Sequence, residues 1–263
     1  MSREPERHRS RASGWCRRVA AFAAVLLLVV WVGHHFGLVE TLGYLWVLGL
    51  VALLAAFALL AAAFAFSRIW TYGDSGGRDV ALGVAIALLV LSPYGVVAYL
   101  MVSTPPLQAV TTDAEAPLDL PTAAGRTADM NGLQPLSPGE QRLQAQSYPL
   151  VTGRRYQLPF EETCAAVAAV LARQGWKEGV GPAADAGSEG EATFGAVAKS
   201  FILDLPADVS VRVVADGDAT LVDMRSASRY GRHDLGDNAR LVTAFLAELD
   251  QQVAGEVGAA AAQ

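Results

Sequence analysis

Three apolar segments in the first half of the chain constrain its fold more than any other feature. They cover residues 19–38, 44–66 and 80–102, and none contains Lys, Arg, Asp or Glu. Each has the ~20 residues that cross a ~30 Å hydrocarbon core at a helical rise of ~1.5 Å per residue. Because a charge at the centre of such a helix costs about 2.5–3.5 kcal/mol on insertion scales, its absence from all three is informative. The segments predict a three-helix membrane anchor over residues 19–102, with the lipid bilayer as a partner.

The basic residues that flank these segments predict the orientation of the chain. The tail 1–18 contains six Arg and the loop 67–79 contains two, whereas the loop 39–43 contains no Lys or Arg. Since short loops rich in Lys and Arg stay on the cytoplasmic side, the tail and the loop 67–79 are expected there. The sequence thus predicts a multi-pass protein of the cell inner (plasma) membrane, with everything after residue 103 outside the cytoplasm.

The rest of the chain divides by composition. Residues 103–150 contain seven of the 12 prolines and no sustained periodicity, which predicts a Pro-rich linker or an extended arm lying on the following domain. Residues 151–253 have the pattern of a globular domain, and residues 254–263 are expected to form a flexible tail. Residues 151–263 hold 10 Lys or Arg and 16 Asp or Glu, an acidic balance that argues against nucleic acid as a partner.

The globular domain shows several strand patterns and two helical patterns. Apolar residues at helical spacing predict helices over residues 160–174 and 238–253. Short runs of β-forming residues, separated by turn residues, predict strands, with a loose loop at 183–190. The sum is an α+β domain with an antiparallel sheet of about four or five strands, packed on one face by both helices. The predicted strands cover residues 154–158, 176–180, 191–199, 209–215 and 219–228.

A turn at residues 216–218 joins the last two predicted strands. If residues 217 and 218 form a two-residue turn, Val213 faces Val222 and Arg212 stands opposite Asp223. If residues 216 and 217 form it, the pairing shifts by two residues and every side chain keeps its face. In both cases the valines of the hairpin face the helices.

Charged side chains share the opposite face of this hairpin. Arg212, Asp223 and Arg225 all lie there by the alternation of a strand. The simplest expectation for Asp223 is a cross-strand ion pair with Arg212, and a catalytic carboxylate is the alternative.

Polar residues are concentrated in the segment 222–240, which leads from the last strand into the last helix. One interpretation is a binding module, because Arg225, Arg229 and Arg232 converge near a helix start, where backbone N–H groups and Arg side chains favour an anion. Such a site suits an anionic lipid headgroup or an envelope ligand. The candidate residues are Arg212, Asp223, Arg225, Ser226, Ser228, Arg229, Arg232, His233, Asp234 and Asn238.

Two other interpretations use the same residues. In a structural interpretation, Asp234 or Asp237 caps the last helix and Arg–Asp pairs hold the turn, so that the domain acts as an assembly partner of another membrane protein. In an enzymatic interpretation, Ser226 or Ser228, His233 and an aspartate form a hydrolytic set. The sequence contains no Gly-x-Ser-x-Gly turn, metal-ligand motif or Gly-rich phosphate loop, so no metal or cofactor is expected.

The segment VDMRSASRYGRHDLGDNAR (222–240) resembles the signature of domain-of-unknown-function family 1499, found in bacterial membrane proteins and some plastid proteins. The resemblance covers roughly residues 104–250. In the family an acidic pair often stands where this chain has Ala207 and Asp208. The family has no established activity, so the resemblance implies an uncharacterised membrane protein and no particular reaction. Further similarities are TTD at 111–113, GW at 175–176, EAT at 191–193 and DVSVRV at 208–213.

Overall fold

The chain divides into two compact units, Met1–Tyr99 and Leu100–Gln263. The first ten residues of the basic tail and nearly all of the predicted loop 183–190 lie outside the described residues. The computed structural model describes residues 11–73, 75–180 and 190–261.

Three long helices account for the first unit. All three are long and apolar enough to cross a membrane, which confirms the predicted number of spans. Small residues pack between them: Ala20 and Ala58, from the first and second helices, are fully buried in one cluster. The large side chains of Phe57 and Leu60 remain exposed, as expected for residues that face lipid. The helices are α1 (Arg11–His35), α2 (Thr41–Tyr72) and α3 (Gly77–Ser103).

The second unit is built on an antiparallel sheet. Its strands are β1 (Ala109–Thr111), β2 (Arg154–Tyr156), β3 (Lys177–Val180), β4 (Glu191–Lys199), β5 (Pro206–Asp216) and β6 (Ala219–Ser228). The strand order is β1–β6–β5–β4–β3, and β2 pairs with β6 beside β1, so the sheet is five strands wide. This arrangement confirms the α+β fold class. The helices are α4 (Pro138–Ser147), α5 (Phe160–Gln174), α6 (Asp237–Ala261) and a 3₁₀ helix (Pro121–Gly125).

The hairpin of β5 and β6 has the register predicted for a two-residue turn that begins at Gly217. Asp216 pairs with Ala219, and Arg212 pairs with Asp223. Gly217 has a φ of 63°, a left-handed conformation that favours glycine at this position. The alternative turn, one residue earlier, is therefore wrong.

The long helices α5 and α6 pack on one face of the sheet. Val211 and Met224 of the hairpin form a single buried cluster with Val167 of α5 and Phe245 of α6. All four side chains are fully buried. The valines and Met224 thus face the helices, as the alternation of the strands predicts.

Two segments that the sequence predicts to be irregular contain regular structure. α6 ends at Ala261 and includes most of the segment 254–263, because its Ala and Glu residues favour a helix over a flexible tail. Within residues 103–150, β1 pairs with β6, and Leu107 and Val110 are fully buried in the core. The Pro-rich segment is therefore part of the folded second unit, in line with the alternative of an extended arm that lies on the domain.

Residues 112–136, called here the cover segment, lie across the other face of the sheet. The 3₁₀ helix within it brings Pro121 against Gly195 of β4, where an added Cβ would come within 3.1 Å of the Pro121 Cβ. A residue without a Cβ allows this close approach. The cover segment thereby encloses the face on which the charged side chains of the hairpin lie.

Candidate functional site

A buried carboxylate joins two arginines beneath the cover segment. Asp208 of β5 is fully buried, and it accepts hydrogen bonds from Arg126 Nε and Arg229 Nη2, each at 2.6 Å. Thr122 Oγ1 donates to the same carboxylate at 2.6 Å. The charge of Arg229 is therefore matched within the domain.

The hydrogen bonds to Asp208 keep its carboxylate ionised. Burial by itself raises the pKa of Asp208, but its donors, Arg229 foremost, outweigh burial and hold the pKa below its usual value. Arg126 also donates to the backbone carbonyls of Asn131 at 2.7 Å and Ala227 at 3.0 Å. The ion pairs of Asp208 thus fasten the cover segment to the sheet.

Arg225 of β6 is buried without such a match. It is only 8% exposed, and it donates to the backbone carbonyls of Leu118 at 2.7 Å and Gln134 at 3.1 Å. Of its five N–H donors, only these two have a protein acceptor in the described part of the chain, and neither acceptor is a carboxylate. Burial lowers the pKa of Arg225 and the charge of Asp119 opposes that shift, and an arginine keeps its charge under physiological conditions.

Arg225 lines a cleft of about 370 Å³, called here the arginine cleft. Arg126 and Arg232 line it as well. Arg232 is exposed and makes no hydrogen bond or ion pair with any other described residue. Within the described ranges, the cleft therefore contains two guanidinium groups without a carboxylate hydrogen-bond partner, Arg225 and Arg232, whereas the guanidinium of Arg126 is engaged by Asp208 and by backbone carbonyls. Its apolar wall comes from the cover segment and the edge of the sheet, through Leu133, Pro135, Leu136, Ala109 and Ala227.

The structure divides the three arginines that the sequence groups together. Arg225 and Arg232 line the arginine cleft, whereas Arg229 pairs with Asp208. The third arginine of the cleft is Arg126, which lies about a hundred residues earlier in the chain. One part of the candidate site is thus open to a ligand, and the other part is held by internal ion pairs.

The predicted pair of Arg212 and Asp223 is present, but it is not the closest contact of either residue. Arg212 Nη2 lies 3.4 Å from Asp223 Oδ2 and 2.7 Å from Asp113 Oδ2. Asp223 Oδ1 accepts a hydrogen bond from Thr112 Oγ1 at 2.7 Å. Both carboxylate oxygens of Asp223 are therefore engaged with the domain, where they hold the start of the cover segment.

Ser226, Ser228 and Asn238 form a hydrogen-bond network between β6 and α6. Ser226 Oγ donates to Asn238 Oδ1 at 2.7 Å, and Asn238 Nδ2 donates to Ser228 Oγ at 3.0 Å. The same Nδ2 donates to the Gln108 carbonyl at 3.0 Å. Because Ser226 and Asn238 are fully buried, the network fixes the start of α6 against the sheet.

Asp234 caps the start of α6. Its Oδ2 accepts from the Asn238 N–H and its Oδ1 from the Gly236 N–H, each at 3.0 Å. Burial raises the pKa of Asp234, and these two hydrogen bonds oppose that shift. Asp237 instead pairs with Arg240 one turn later. The capping role that the sequence gives to either aspartate belongs to Asp234.

His233 bonds only the backbone. Its Nδ1 accepts the Leu235 N–H at 3.0 Å, so its Nε2 carries the proton and donates to the Thr104 carbonyl at 3.1 Å. This contact supports Leu235 at a φ of 58°, an unusual value for a leucine. Among the hydrogen bonds of the described residues, none joins His233 to Ser226 or Ser228, so the Ser/His/Asp set is not assembled.

Sequence reasoning missed the residues that the cover segment and α4 bring to the cleft. Arg126, Asn131 and Glu140 line it together with Arg225, yet they lie in or beside the Pro-rich region. For Asp208 there was a signal, since it lies on the same face of β5 as Arg212 and occupies the acidic position of the family resemblance. No group of three metal-ligating side chains occurs among the described residues.

The comparisons with known proteins agree with the resemblance in the sequence. No curated protein and no solved structure matches the chain. The family described as "Protein of unknown function (DUF1499)" matches residues 109–249, more than half of the chain. That match begins at β1 and includes the cover segment, the residues of the arginine cleft from Ala109 onward and the first half of α6. The chain belongs to this family of proteins of unknown function, DUF1499.

Proposed function

We propose that the second unit is a binding module for an anionic group, and that the arginine cleft is its ligand site. The observation that carries this proposal is Arg225, a buried guanidinium that meets two carbonyls and no carboxylate, at the wall of a cleft. Arg126 and Arg232 line the same cleft. Arginine presents a planar fork of donors that matches the oxygens of phosphate or carboxylate.

The energetic cost of burying Arg225 favours a ligand role over a purely structural one. A buried charge without an opposite charge is expensive, and Asp208 shows how this domain neutralises an arginine when the arginine has only a structural role. Asp119 acts on Arg225 electrostatically but forms no hydrogen bond with it, so an anion in the cleft would supply the hydrogen-bonded counter-charge that Arg225 lacks in the described part of the chain. It would also contact Arg232, which has no partner among the described residues.

The same geometry argues against the alternative of a hydrolase. Ser226 is buried in its network with Asn238, and His233 is engaged by the backbone on both ring nitrogens. These residues stabilise the junction of β6 and α6. We therefore assign the segment 222–240 a mixed role, with Arg225 and Arg232 for the ligand and the remaining polar residues for the fold.

The proposal is tested by calorimetric titration of the full chain, in a non-ionic detergent, with inorganic phosphate. Arg232→Ala is expected to weaken phosphate binding about tenfold, the loss of one charge-assisted hydrogen bond. Because Arg232 is exposed and unpaired among the described residues, this variant should keep the thermal stability of the parent. Arg155→Ala is the matched control, since Arg155 is also exposed but does not line the cleft. The proposal fails if the parent does not bind phosphate at millimolar concentrations, or if both variants lose affinity equally.

We further propose that this module faces the outside of the cytoplasmic membrane, where an anionic headgroup or envelope polymer would be its ligand. The support is the distribution of arginines around the three candidate spans. Fusions of alkaline phosphatase and of a cytoplasmic fluorescent reporter to the C-terminus test it. Phosphatase activity without fluorescence is the expected result, and the reverse pattern contradicts the orientation.

A further inference from the structure

One acidic side chain lines the arginine cleft without neutralising it. Glu140, in the first turn of α4, is part of the cleft wall. Its Oε2 accepts hydrogen bonds from the Ser137 N–H at 2.8 Å and Ser137 Oγ at 2.6 Å. In the described part of the chain, its Oε1 has no donor, and no arginine forms an ion pair with it.

The contacts of Glu140 also keep its charge. The hydrogen bonds from the Ser137 side chain and backbone lower the pKa of Glu140 below its usual value. These contacts form a capping box at the start of α4, so the carboxylate is held in place by the helix. The cleft thus presents a fixed negative charge at Glu140 and, at Arg225 and Arg232, two positive charges that are not paired with it.

Separated charges of opposite sign select for a ligand with the complementary arrangement. A simple anion is attracted by Arg225 and Arg232 but repelled by Glu140, whereas a ligand that also carries an ammonium group is attracted at both ends. The apolar part of the cleft lining, with Leu133 and Leu136, suits a short aliphatic spacer. A volume of about 370 Å³ is within the range of small-molecule sites.

We infer that the ligand of the arginine cleft is a zwitterionic phosphate ester, with its phosphate at Arg225 and Arg232 and its ammonium group at Glu140. This inference rests on the proposed anion-binding function. Ethanolamine phosphate is the simplest compound with this chemistry, either as a soluble ester or as a lipid headgroup.

Calorimetric titration of the full chain in a non-ionic detergent tests the inference with two probes, phosphoethanolamine and ethyl phosphate. These differ only by the ammonium group. The parent is expected to bind phosphoethanolamine about fivefold more tightly, the effect of one partly exposed ion pair. Glu140→Gln should abolish this preference and bind ethyl phosphate at least as tightly as the parent does. Because glutamine also serves at this position of a capping box, the variant should keep α4.

A matched control separates the cleft from net charge. Asp218→Asn removes one negative charge at the exposed tip of the hairpin, outside the cleft, and should keep the preference of the parent. Equal affinity of the parent for both probes, or an unchanged preference in Glu140→Gln, overturns the zwitterion while leaving the anion site intact. Absence of binding for both probes overturns the anion site itself.

A third probe distinguishes the two sources of the zwitterion. Glycerophosphoethanolamine carries the phosphate diester of a lipid headgroup without its acyl chains. Tighter binding of this diester than of phosphoethanolamine supports a lipid headgroup, and the reverse order supports a soluble monoester. Failure of the diester and the monoester to exceed ethyl phosphate contradicts the zwitterion in both forms.

Discussion

The two faces of the sheet in the second unit bury different kinds of side chain. The face that packs on α5 and α6 is apolar, with Val211 and Met224 fully buried against Phe245. The face beneath the cover segment holds the buried ions Asp208 and Arg225. Both faces are closed to solvent over much of their area, but only the second buries charged groups of the sheet, each of which needs a matched partner.

This difference explains why the proposed ligand site lies on the charged face. Hydrophobic burial is non-directional, so the apolar side chains of the first face need only close packing and no particular partner. A charged group is satisfied only by a matched partner. Arg229 has that partner in Asp208, whereas Arg225 does not, and the cleft beside Arg225 is open. On the charged face, the buried ion pairs that hold the fold are therefore formed, whereas Arg225 at the cleft has no carboxylate partner among the described residues.

Removal of the Asp208 carboxylate is expected to destabilise the charged face more than any other change considered. Asp208→Ala leaves Arg126 and Arg229 buried without their counter-charge, and we expect a loss of about 3–5 kcal/mol in the free energy of unfolding. Urea titration of the full chain measures it. A loss below about 1 kcal/mol would show that the cover segment is held mainly by its apolar contacts.

The pH dependence of the stability of Asp208→Ala tests whether the Asp208 carboxylate is ionised in the folded state. Since the pKa of Asp208 is lowered in the folded state, its contribution is complete above the unfolded value near 3.9 and is lost as the pH falls through the folded value. The difference in unfolding free energy between the parent and Asp208→Ala should therefore shrink below about pH 4. A difference that is constant with pH down to the folded pKa contradicts the ionised carboxylate.

The apolar face should respond to truncation without a pH signature. Met224→Ala removes a fully buried side chain between the sheet and the helices, and we expect a loss of about 2–5 kcal/mol. The same urea titration, repeated at neutral and acidic pH, should give the same loss relative to the parent. If the loss changes with pH as it does for Asp208→Ala, the two faces are not stabilised by different forces.

A smaller loss of stability is expected from the hydrogen-bond network that joins β6 to the start of α6. Asn238→Ala removes the amide that joins Ser226 and Ser228 to α6, and it leaves buried hydroxyls with fewer partners. The expected loss in unfolding free energy is about 1–3 kcal/mol. Hydrogen exchange of the first turn of α6 is the local measurement, and unchanged protection there would contradict the role of the network.

The smallest effect is expected for an ion pair on the surface. Arg155 pairs with Asp216 at 2.9 Å, but about half of each side chain is exposed. Arg155→Ala should change the unfolding free energy by less than about 1 kcal/mol. An effect as large as that of Asp208→Ala would mean that burial does not distinguish the ion pairs of this domain.

The sequence predicts the apolar face better than the charged face. The alternation of Val211, Val213, Val222 and Met224 identifies the buried side of the hairpin, and the turn at Gly217 identifies its register. These signals are local, so they can be read from the sequence without knowledge of the rest of the fold. The three membrane spans are predicted for the same reason, by length and the absence of charge.

The charged face depends on contacts that are distant in the chain. Arg126 reaches Asp208 from a Pro-rich region without periodicity, and Arg225 is capped by carbonyls of that same region. No local sequence pattern predicts such contacts between the Pro-rich region and the sheet. The sequence places Arg225, Arg229 and Arg232 near the start of the last helix, but it cannot separate Arg225, which lines the cleft, from Arg229, which is paired with Asp208.

The most direct test for an anion site in the arginine cleft is the position of a tetrahedral oxyanion bound to the full chain. Tungstate resembles phosphate in shape and charge, and its anomalous scattering locates it in crystals without ambiguity. We expect a tungstate ion in the arginine cleft, within hydrogen-bond distance of Arg225 and Arg232. Crystals in which tungstate leaves the cleft empty, or binds only surface arginines such as Arg155, would contradict it.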